Sequence, residues 1–169
     1  MARVAPTPTP EQAPQKDFPM TGITIRPLTR HDHGAWEFLW RENLVHFGAG
    51  DVAHETMPVL WDRLMAEGEP LNGWLILKHG VPAGLAHVVL RLHTFSARRI
   101  GILEDLWISQ AARRHGLAEA CIAHLEREGR AQGWVRLEWE TDADNLAAQR
   151  LYDRVAVPVP VKRYKIDLI

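Results

Sequence analysis

The chain has 169 residues, with 20 lysines and arginines against 21 aspartates and glutamates. This length suits one ordinary domain and is too short for two well-developed ones. The near balance of charge excludes a bulk positive field, so we expect no nucleic-acid partner and no membrane partner. The sequence also lacks an apolar run of about 18 residues and a secretory signal. The lone cysteine, Cys121, has no partner for an internal disulfide, and we predict a cytoplasmic protein.

The first 20 residues are predicted to be a disordered Pro-rich tail. They include the run Pro6-Thr7-Pro8-Thr9-Pro10 and few apolar side chains. Such a composition cannot bury enough apolar surface to offset the entropy lost on ordering. Residues 21–169 then form the single predicted domain.

The first third of this domain is predicted to be one strand followed by two helices. Apolar residues alternate with polar ones over residues 23–28, which is typical of a short strand. Apolar residues then recur at helical spacing over residues 29–47 and again over residues 52–66. Gly48-Ala49-Gly50 supplies the hinge between the two helices.

Three β-rich runs follow, over residues 73–78, 83–92 and 100–108. His79-Gly80 separates the first two and reads as a hairpin turn. The sequence therefore predicts three consecutive antiparallel strands.

The last third alternates helices and strands. We predict a helix over residues 116–132, a strand over 134–141, a helix over 145–154 and a final strand over 161–168. The order β-α-α-β-β-β-α-β-α-β predicts an α/β (α+β) fold with a mixed sheet. Pro158 and Pro160 lack N–H donors, so we expect an irregular crossing before the last strand.

An anion site is predicted where the strand ending near Ile108 leads into the next helix. The connecting sequence is Arg113-Arg114-His115-Gly116-Leu117-Ala118. A helix N-terminus leaves unpaired N–H groups and a partial positive charge, and Gly116 and Ala118 permit close approach of a bulky anion. This outline suits a diphosphate, although any strand-to-helix turn with a glycine looks similar.

Two motifs in order strengthen this interpretation. Arg113, Gly116 and Ala118 have the spacing Arg-x-x-Gly-x-Ala, and Asp144-Asn145-x-x-Ala148-x-x-Leu151-Tyr152 follows after a helix and a strand. From about Gly22 to Leu168 the chain resembles the Gcn5-related N-acetyltransferase (GNAT) superfamily. Leu103-Glu104-Asp105-Leu106 is further similar to a bacterial subgroup distantly related to diamine acetyltransferases.

The resemblance implies acetyl-CoA as co-substrate and a strand that splays from its parallel neighbour to pair with pantetheine. By resemblance, the splayed strand binds through Leu106, Trp107 and Ile108. The diphosphate is expected to lie on the helix start, and the residues matched to it are Arg113, Arg114, His115, Gly116, Leu117, Ala118 and Glu119. Asn145 matches a family asparagine that hydrogen-bonds the coenzyme.

The resemblance also assigns the chemistry of acetyl transfer to an amine by direct attack. Tyr152 matches the general acid, since a phenol with a pKa of about 10 keeps its proton at neutral pH. Glu104 is the first choice for the base, acting through water, and Asp105 is the alternative or a contact for a cationic substrate. A backbone N–H near Leu106 is expected to stabilise the oxyanion.

Other expectations concern the acceptor and the partners. Trp36, Glu37 and Trp40 on the first helix are candidate contacts for a small amine or polyamine-like acceptor, although the two tryptophans also suit a core. The nine histidines are not grouped at ligand spacing, so no metal is expected. The family implies a homodimer. The alternatives are a protein or peptide amine as acceptor, and a non-catalytic acyl-CoA-binding regulatory module.

Overall fold

The computed structural model describes residues 22–168, the side chain of Val52 excepted. The predicted tail of residues 1–20 lies outside the described residues, and the single domain stays a prediction. Strands and α-helices follow in this order: β1 (Ile23–Pro27), α1 (His33–His46), α2 (Ala53–Met65), β2 (Leu71–Lys78), β3 (Val81–His93), β4 (Arg98–Ile108), α3 (Leu117–Gln132), β5 (Leu137–Glu138) and α4 (Leu146–Val155). Short 3-10 turns lie at Arg30–Asp32, Gly50–Val52 and Gln110–Ala112.

The five strands form one mixed sheet in the order β1-β2-β3-β4-β5. The first four pair antiparallel, and β4 pairs parallel to β5. The predicted meander of three antiparallel strands is thus confirmed. The hairpin turn is confirmed as well, because His79 and Gly80 have positive φ angles of 49° and 79°, which tight two-residue hairpins require.

The core lies on both faces of the sheet. Along β2, Trp74 and Ile76 pack in a cluster with α3, whereas Leu75 packs in a second cluster with α1 and α2. Successive side chains of a strand point to opposite faces, so the two clusters lie on opposite sides. The second cluster contains Trp36 and Trp40, which confirms their predicted suitability for a core.

The connection from β1 to α1 is fixed by the buried carboxylate of Asp32. Arg26 donates two hydrogen bonds of 2.7 Å to it, and the Thr29 backbone N–H and hydroxyl donate at 2.8 Å. The Arg26 guanidinium holds the pKa of Asp32 well below its ordinary value. This charge-assisted cluster sets where α1 leaves the sheet.

The sequence overestimates regular structure after α3. The strand predicted over residues 134–141 exists but is only the two residues of β5. The strand predicted over residues 161–168 is wrong, because these described residues have no regular structure and are exposed. A strand needs a paired neighbour, β5 offers only a short edge, and Pro158 and Pro160 remove ladder donors just before this segment. The final β of the predicted order is therefore absent.

Candidate active site

The parallel strands β4 and β5 part soon after they meet. Their register contains two pairs, Gly101 with Leu137 and Ile102 with Glu138. Beyond these, the β4 residues 103–108 have no β5 partner in the described chain. We call this opening the fork. Of the backbone groups of Leu106, Trp107 and Ile108, those that point to this edge have no β5 partner, and the Ile108 carbonyl accepts a hydrogen bond from Arg113.

The predicted anion-binding loop lies between β4 and α3. Gly116 is the N-cap of α3 with a φ of 75°, and Arg114 also has a positive φ of 64°. Residues 113–116 are exposed. Because the first turn of a helix has unpaired N–H groups, those of Leu117, Ala118 and Glu119 face this loop without intrahelical acceptors.

Arg113 is held on the aromatic ring of Trp107. Its Nε donates to the Ile108 carbonyl at 3.1 Å, and its Cζ lies 4.8 Å from the centre of the Trp107 ring. The indole of Trp107 in turn donates to Glu42 at 3.1 Å, and Ser109 Oγ donates to the same carboxylate at 3.2 Å. Glu42 therefore links α1 to the end of β4 and supports the loop indirectly.

The side chains of two other residues of the predicted anion site are engaged within the protein. The His115 Nδ1 lies 2.8 Å from the Arg113 carbonyl oxygen, so the ring folds back on its own loop. Glu119 accepts a hydrogen bond of 3.3 Å from Arg154, which joins the start of α3 to the end of α4. Their predicted contribution to coenzyme binding thus rests on backbone N–H groups.

Asn145 caps α4. Its Oδ1 accepts a hydrogen bond of 3.2 Å from the Ala148 N–H. This cap is one of the groups that start a helix reliably, since it satisfies a donor that the helix leaves unpaired. Only the side-chain NH2 group of Asn145 is then left to donate to a ligand.

Tyr152 is half-buried on α4 beside the fork. Its ring packs edge-on against that of Trp139, one residue beyond β5, with centroids 5.4 Å apart. Burial raises the pKa of the Tyr152 phenol above its ordinary value. The hydroxyl therefore keeps its proton at neutral pH, as a general acid requires.

Glu104 and Asp105 lie on β4 where its register shifts. His87 pairs with Asp105 and Val88 pairs with Leu103, so Glu104 has no partner and forms a β-bulge. The Glu104 side chain is exposed. Asp105 is half-buried, with its Oδ2 at 3.0 Å from His87 Nδ1. The bulge thus places two carboxylates in different environments along one edge of the fork.

The candidate acceptor contacts on α1 differ in exposure. Trp36 is fully buried and donates from Nε1 to His87 at 3.0 Å, so its ring is not available to a substrate in this structure. Trp40 is also buried, with no hydrogen-bond partner for its Nε1 among the described residues. Glu37 lies on the surface, where it accepts a hydrogen bond from Arg41 at 3.0 Å.

Glu42 and His87 are functional candidates that the sequence alone does not predict. Neither lies in a motif, and the hydrogen bond from His87 spans 18 residues to Asp105. Only the strand register brings this pair together, so no local pattern could have revealed it. A weak signal existed in the alternation of β3, which places His87 on the same face as the buried Leu85.

The cysteine is buried on α3. Burial raises the pKa of the Cys121 thiol to about 12. Since the thiolate is the nucleophilic form, Cys121 is inert at neutral pH. Its burial and raised pKa therefore disfavour a covalent acyl-cysteine at this position.

Residues 22–168 contain no group of His, Cys, Asp and Glu side chains that could hold a metal ion. The expectation that the protein uses no metal stays a prediction. In the same part of the chain, none of the helices has the length and apolar character needed to cross a membrane.

The family model described as acetyltransferase (GNAT) family matches residues 29–156. A curated relative, the D-amino-acid N-acetyltransferase HPA3 of Saccharomyces cerevisiae, is 26% identical over 145 residues, which cover 85% of this chain and 89% of the relative.

Solved structures share the fold. A probable acetyltransferase superposes with a TM-score of 0.78 at 21% identity, over 86% of this chain and 98% of the other. An aminoglycoside acetyltransferase from an uncultured soil metagenomic sample has a TM-score of 0.75 at 20% identity, over 87% and 99%. The aminoglycoside N-acetyltransferase AAC(6')-Iy, in complex with CoA, has a TM-score of 0.70 at 18% identity, over 87% and 95%.

Proposed function

Since the chain belongs to the acetyltransferase (GNAT) family and is an acetyl-CoA-dependent N-acetyltransferase, we propose that its acceptor is the primary amine of a small molecule. Among small amines we favour a polyamine-like acceptor, because Leu103-Glu104-Asp105-Leu106 resembles the motif of the diamine acetyltransferase subgroup. The named relatives support a small acceptor: one is named for D-amino acids and two for aminoglycosides.

The single observation that carries the proposal is the chemistry around the fork. One side has the proton-bearing Tyr152, packed against Trp139 next to β5. The other side has Glu104 and Asp105 on β4. A proton donor and two carboxylates thus flank a gap along which residues 103–108 of β4 have no β5 partner in the described chain.

The residues of the fork and the loop fit acetyl-CoA. Leu106, Trp107 and Ile108 offer backbone groups to pantetheine, and Asn145 offers its side-chain NH2. The start of α3, with Arg113, Arg114 and the N–H groups that follow Gly116, offers donors to the diphosphate. Acetyl-CoA, when bound, supplies the acetyl thioester.

The proposed proton chemistry uses three groups. An alkylammonium with a pKa of about 10 must lose a proton before its nitrogen can attack, and Glu104 accepts it through water. Tyr152 gives its Oη proton to the leaving thiolate. The Leu106 N–H stabilises the developing oxyanion. The inert Cys121 supports direct attack without an acyl-enzyme.

Two further properties belong to the proposal. The protein forms a homodimer, which the exposed apolar side chains of residues 157–168 support. It works in the cytoplasm, which the single buried cysteine supports, because a reducing compartment preserves a free thiol.

The test is thiol release from acetyl-CoA by the purified protein, with polyamines, amino acids, aminoglycosides and peptides assayed as separate pools. Release with polyamines or another small amine supports the proposal and identifies the acceptor class. Release with peptides alone would point to a protein amine. No thiol release in any pool, together with a rise in melting temperature on adding acetyl-CoA, would favour the non-catalytic acyl-CoA-binding module.

A further inference from the structure

His87 joins α1 to β4 through two hydrogen bonds. Its Nε2 lies 3.0 Å from Trp36 Nε1, and its Nδ1 lies 3.0 Å from Asp105 Oδ2. The His87 side chain is 1% exposed, and the Asp105 side chain is 29% exposed. A fully buried residue therefore connects a buried tryptophan to a carboxylate that reaches solvent.

The donor and acceptor roles along this chain are fixed by Trp36. An indole nitrogen only donates, so His87 Nε2 must be the acceptor and carries no proton. The ring proton then resides on Nδ1 and is donated to Asp105 Oδ2. His87 therefore carries one ring proton in this arrangement and uses it to orient the Asp105 carboxylate.

The arrangement leaves one carboxylate oxygen of Asp105 for a ligand. Oδ2 accepts from His87, whereas no hydrogen bond to Oδ1 occurs within residues 22–168. Asp105 also follows the bulge at Glu104, on the stretch of β4 that has no β5 partner in the described chain. Among residues 22–168, the exposed Glu104 has no comparable hydrogen-bond partner.

We infer that His87 is a positioning residue that, locked by Trp36, holds Asp105 so that its second oxygen binds the ammonium group of a positively charged acceptor amine. The inference rests on the proposed function and narrows its substrate class. A carboxylate held by a hydrogen bond binds a cation without the entropy cost of ordering its own side chain. The neutral His87 leaves the negative charge of Asp105 uncompensated until the amine arrives.

Steady-state kinetics of three variants test the positioning role. His87→Leu should raise the KM of the amine roughly tenfold and leave the KM of acetyl-CoA unchanged, the size expected for one lost hydrogen bond to a charged group. His87→Gln should restore the amine KM, because an amide can accept from Trp36 and donate to Asp105. His93→Leu, on the same strand, is the control and should change neither KM.

Combining variants separates positioning from simple packing. If His87 acts through Asp105, adding His87→Leu to Asp105→Asn should raise the amine KM no further than Asp105→Asn alone. Additive effects, or equal changes in both KM values, would overturn the inference and leave His87 with a packing role only.

A spectroscopic readout needs neither acceptor nor coenzyme. Long-range proton–nitrogen correlation on the folded wild-type protein should report His87 as the Nδ1–H tautomer. The Nε2–H tautomer or an imidazolium would overturn the inference about His87 and leave the proposed function intact. A protein silent in every thiol-release pool would overturn the proposed function, and the acceptor role of Asp105 with it.

Discussion

At the scale of single residues, the Tyr152 hydroxyl is the predicted general acid. Burial raises the pKa of its phenol, and its ring is fixed against Trp139. Replacing Tyr152 by Phe keeps the ring and removes only the hydroxyl. We expect kcat to fall roughly 100-fold, the low end for a general acid, with the KM of acetyl-CoA nearly unchanged. Initial rates of thiol release measure both constants.

The second tyrosine provides a matched control. Tyr164 is exposed on the C-terminal segment, so Tyr164→Phe should leave kcat as it is. Equal kcat values for wild type and Tyr152→Phe would remove Tyr152 as the acid.

The buried Asp32 carboxylate is a second single residue with a predicted effect, here on the free energy of unfolding. Its pKa is lowered in the folded protein by Arg26, so its contribution is fully present above the unfolded value of about 3.9 and is lost as the pH falls toward the folded value. Asp32→Asn should reduce the free energy of unfolding by roughly 1–3 kcal/mol at pH 7. Urea denaturation of both proteins should show this difference shrinking below about pH 4.

Asp62 on α2 is the control for Asp32. Its side chain is exposed, and Asp62→Asn should change the free energy of unfolding by less than about 0.5 kcal/mol. A gap between wild type and Asp32→Asn that stays constant down to pH 3 would contradict the ion-pair account.

At the scale of elements, the fork depends on how β4, β5 and α3 meet. Gly101 pairs with Leu137 at the root of the fork, and a Cβ on Gly101 would lie 2.5 Å from Trp134 Cζ3. Gly101→Ala should therefore lower the free energy of unfolding by roughly 1–3 kcal/mol through overpacking. It should also weaken acetyl-CoA binding, because β4 and β5 would have to move apart. Urea denaturation and coenzyme titration measure the two effects.

Gly34 on α1 is the matched substitution at this scale. A Cβ there meets no atom within 4 Å, so Gly34→Ala should leave coenzyme binding unchanged and stabilise the helix by about 0.5–1 kcal/mol. If Gly101→Ala had the same free energy of unfolding as Gly34→Ala, close contact with Trp134 would not be the reason that position 101 requires glycine.

At the scale of the whole molecule, the exposed C-terminal segment favours association of two copies of the chain. The C-terminal residues from Val157 to Leu168 expose six large apolar side chains: Val157, Val159, Val161, Tyr164, Ile166 and Leu168. Exposed apolar groups in one short segment favour association, because contact removes them from water. We expect light scattering to report twice the 19.2 kDa chain.

A chain ending at Ala156 tests the same point. It lacks the exposed segment and should have the mass of one copy, with a circular dichroism spectrum like that of the full chain. A full-length protein with the mass of a single chain would contradict the homodimer.

Several features of this protein are determined by its sequence alone. Period-two and helical spacings predict the order of the strands and helices up to α4, with β5 much shorter than predicted, because burying one apolar face imposes those periods on the chain. The glycine at the start of α3 and the asparagine before α4 mark helix starts through local backbone chemistry, with Gly116 at a positive φ and Asn145 capping. The family resemblance, carried by the same residues, is confirmed by the family match.

The tertiary structure alone decides how distant residues meet. Whether residues 161–168 form a strand depends on a paired edge, and local alternation contains no information about that edge. The bulge at Glu104 and the pairing of His87 with Asp105 follow from strand register, which is set by many contacts together. The burial of Trp36 follows from the packing of α1 on the sheet. Sequence periodicity thus specifies the elements, and long-range packing determines which side chains remain available for chemistry.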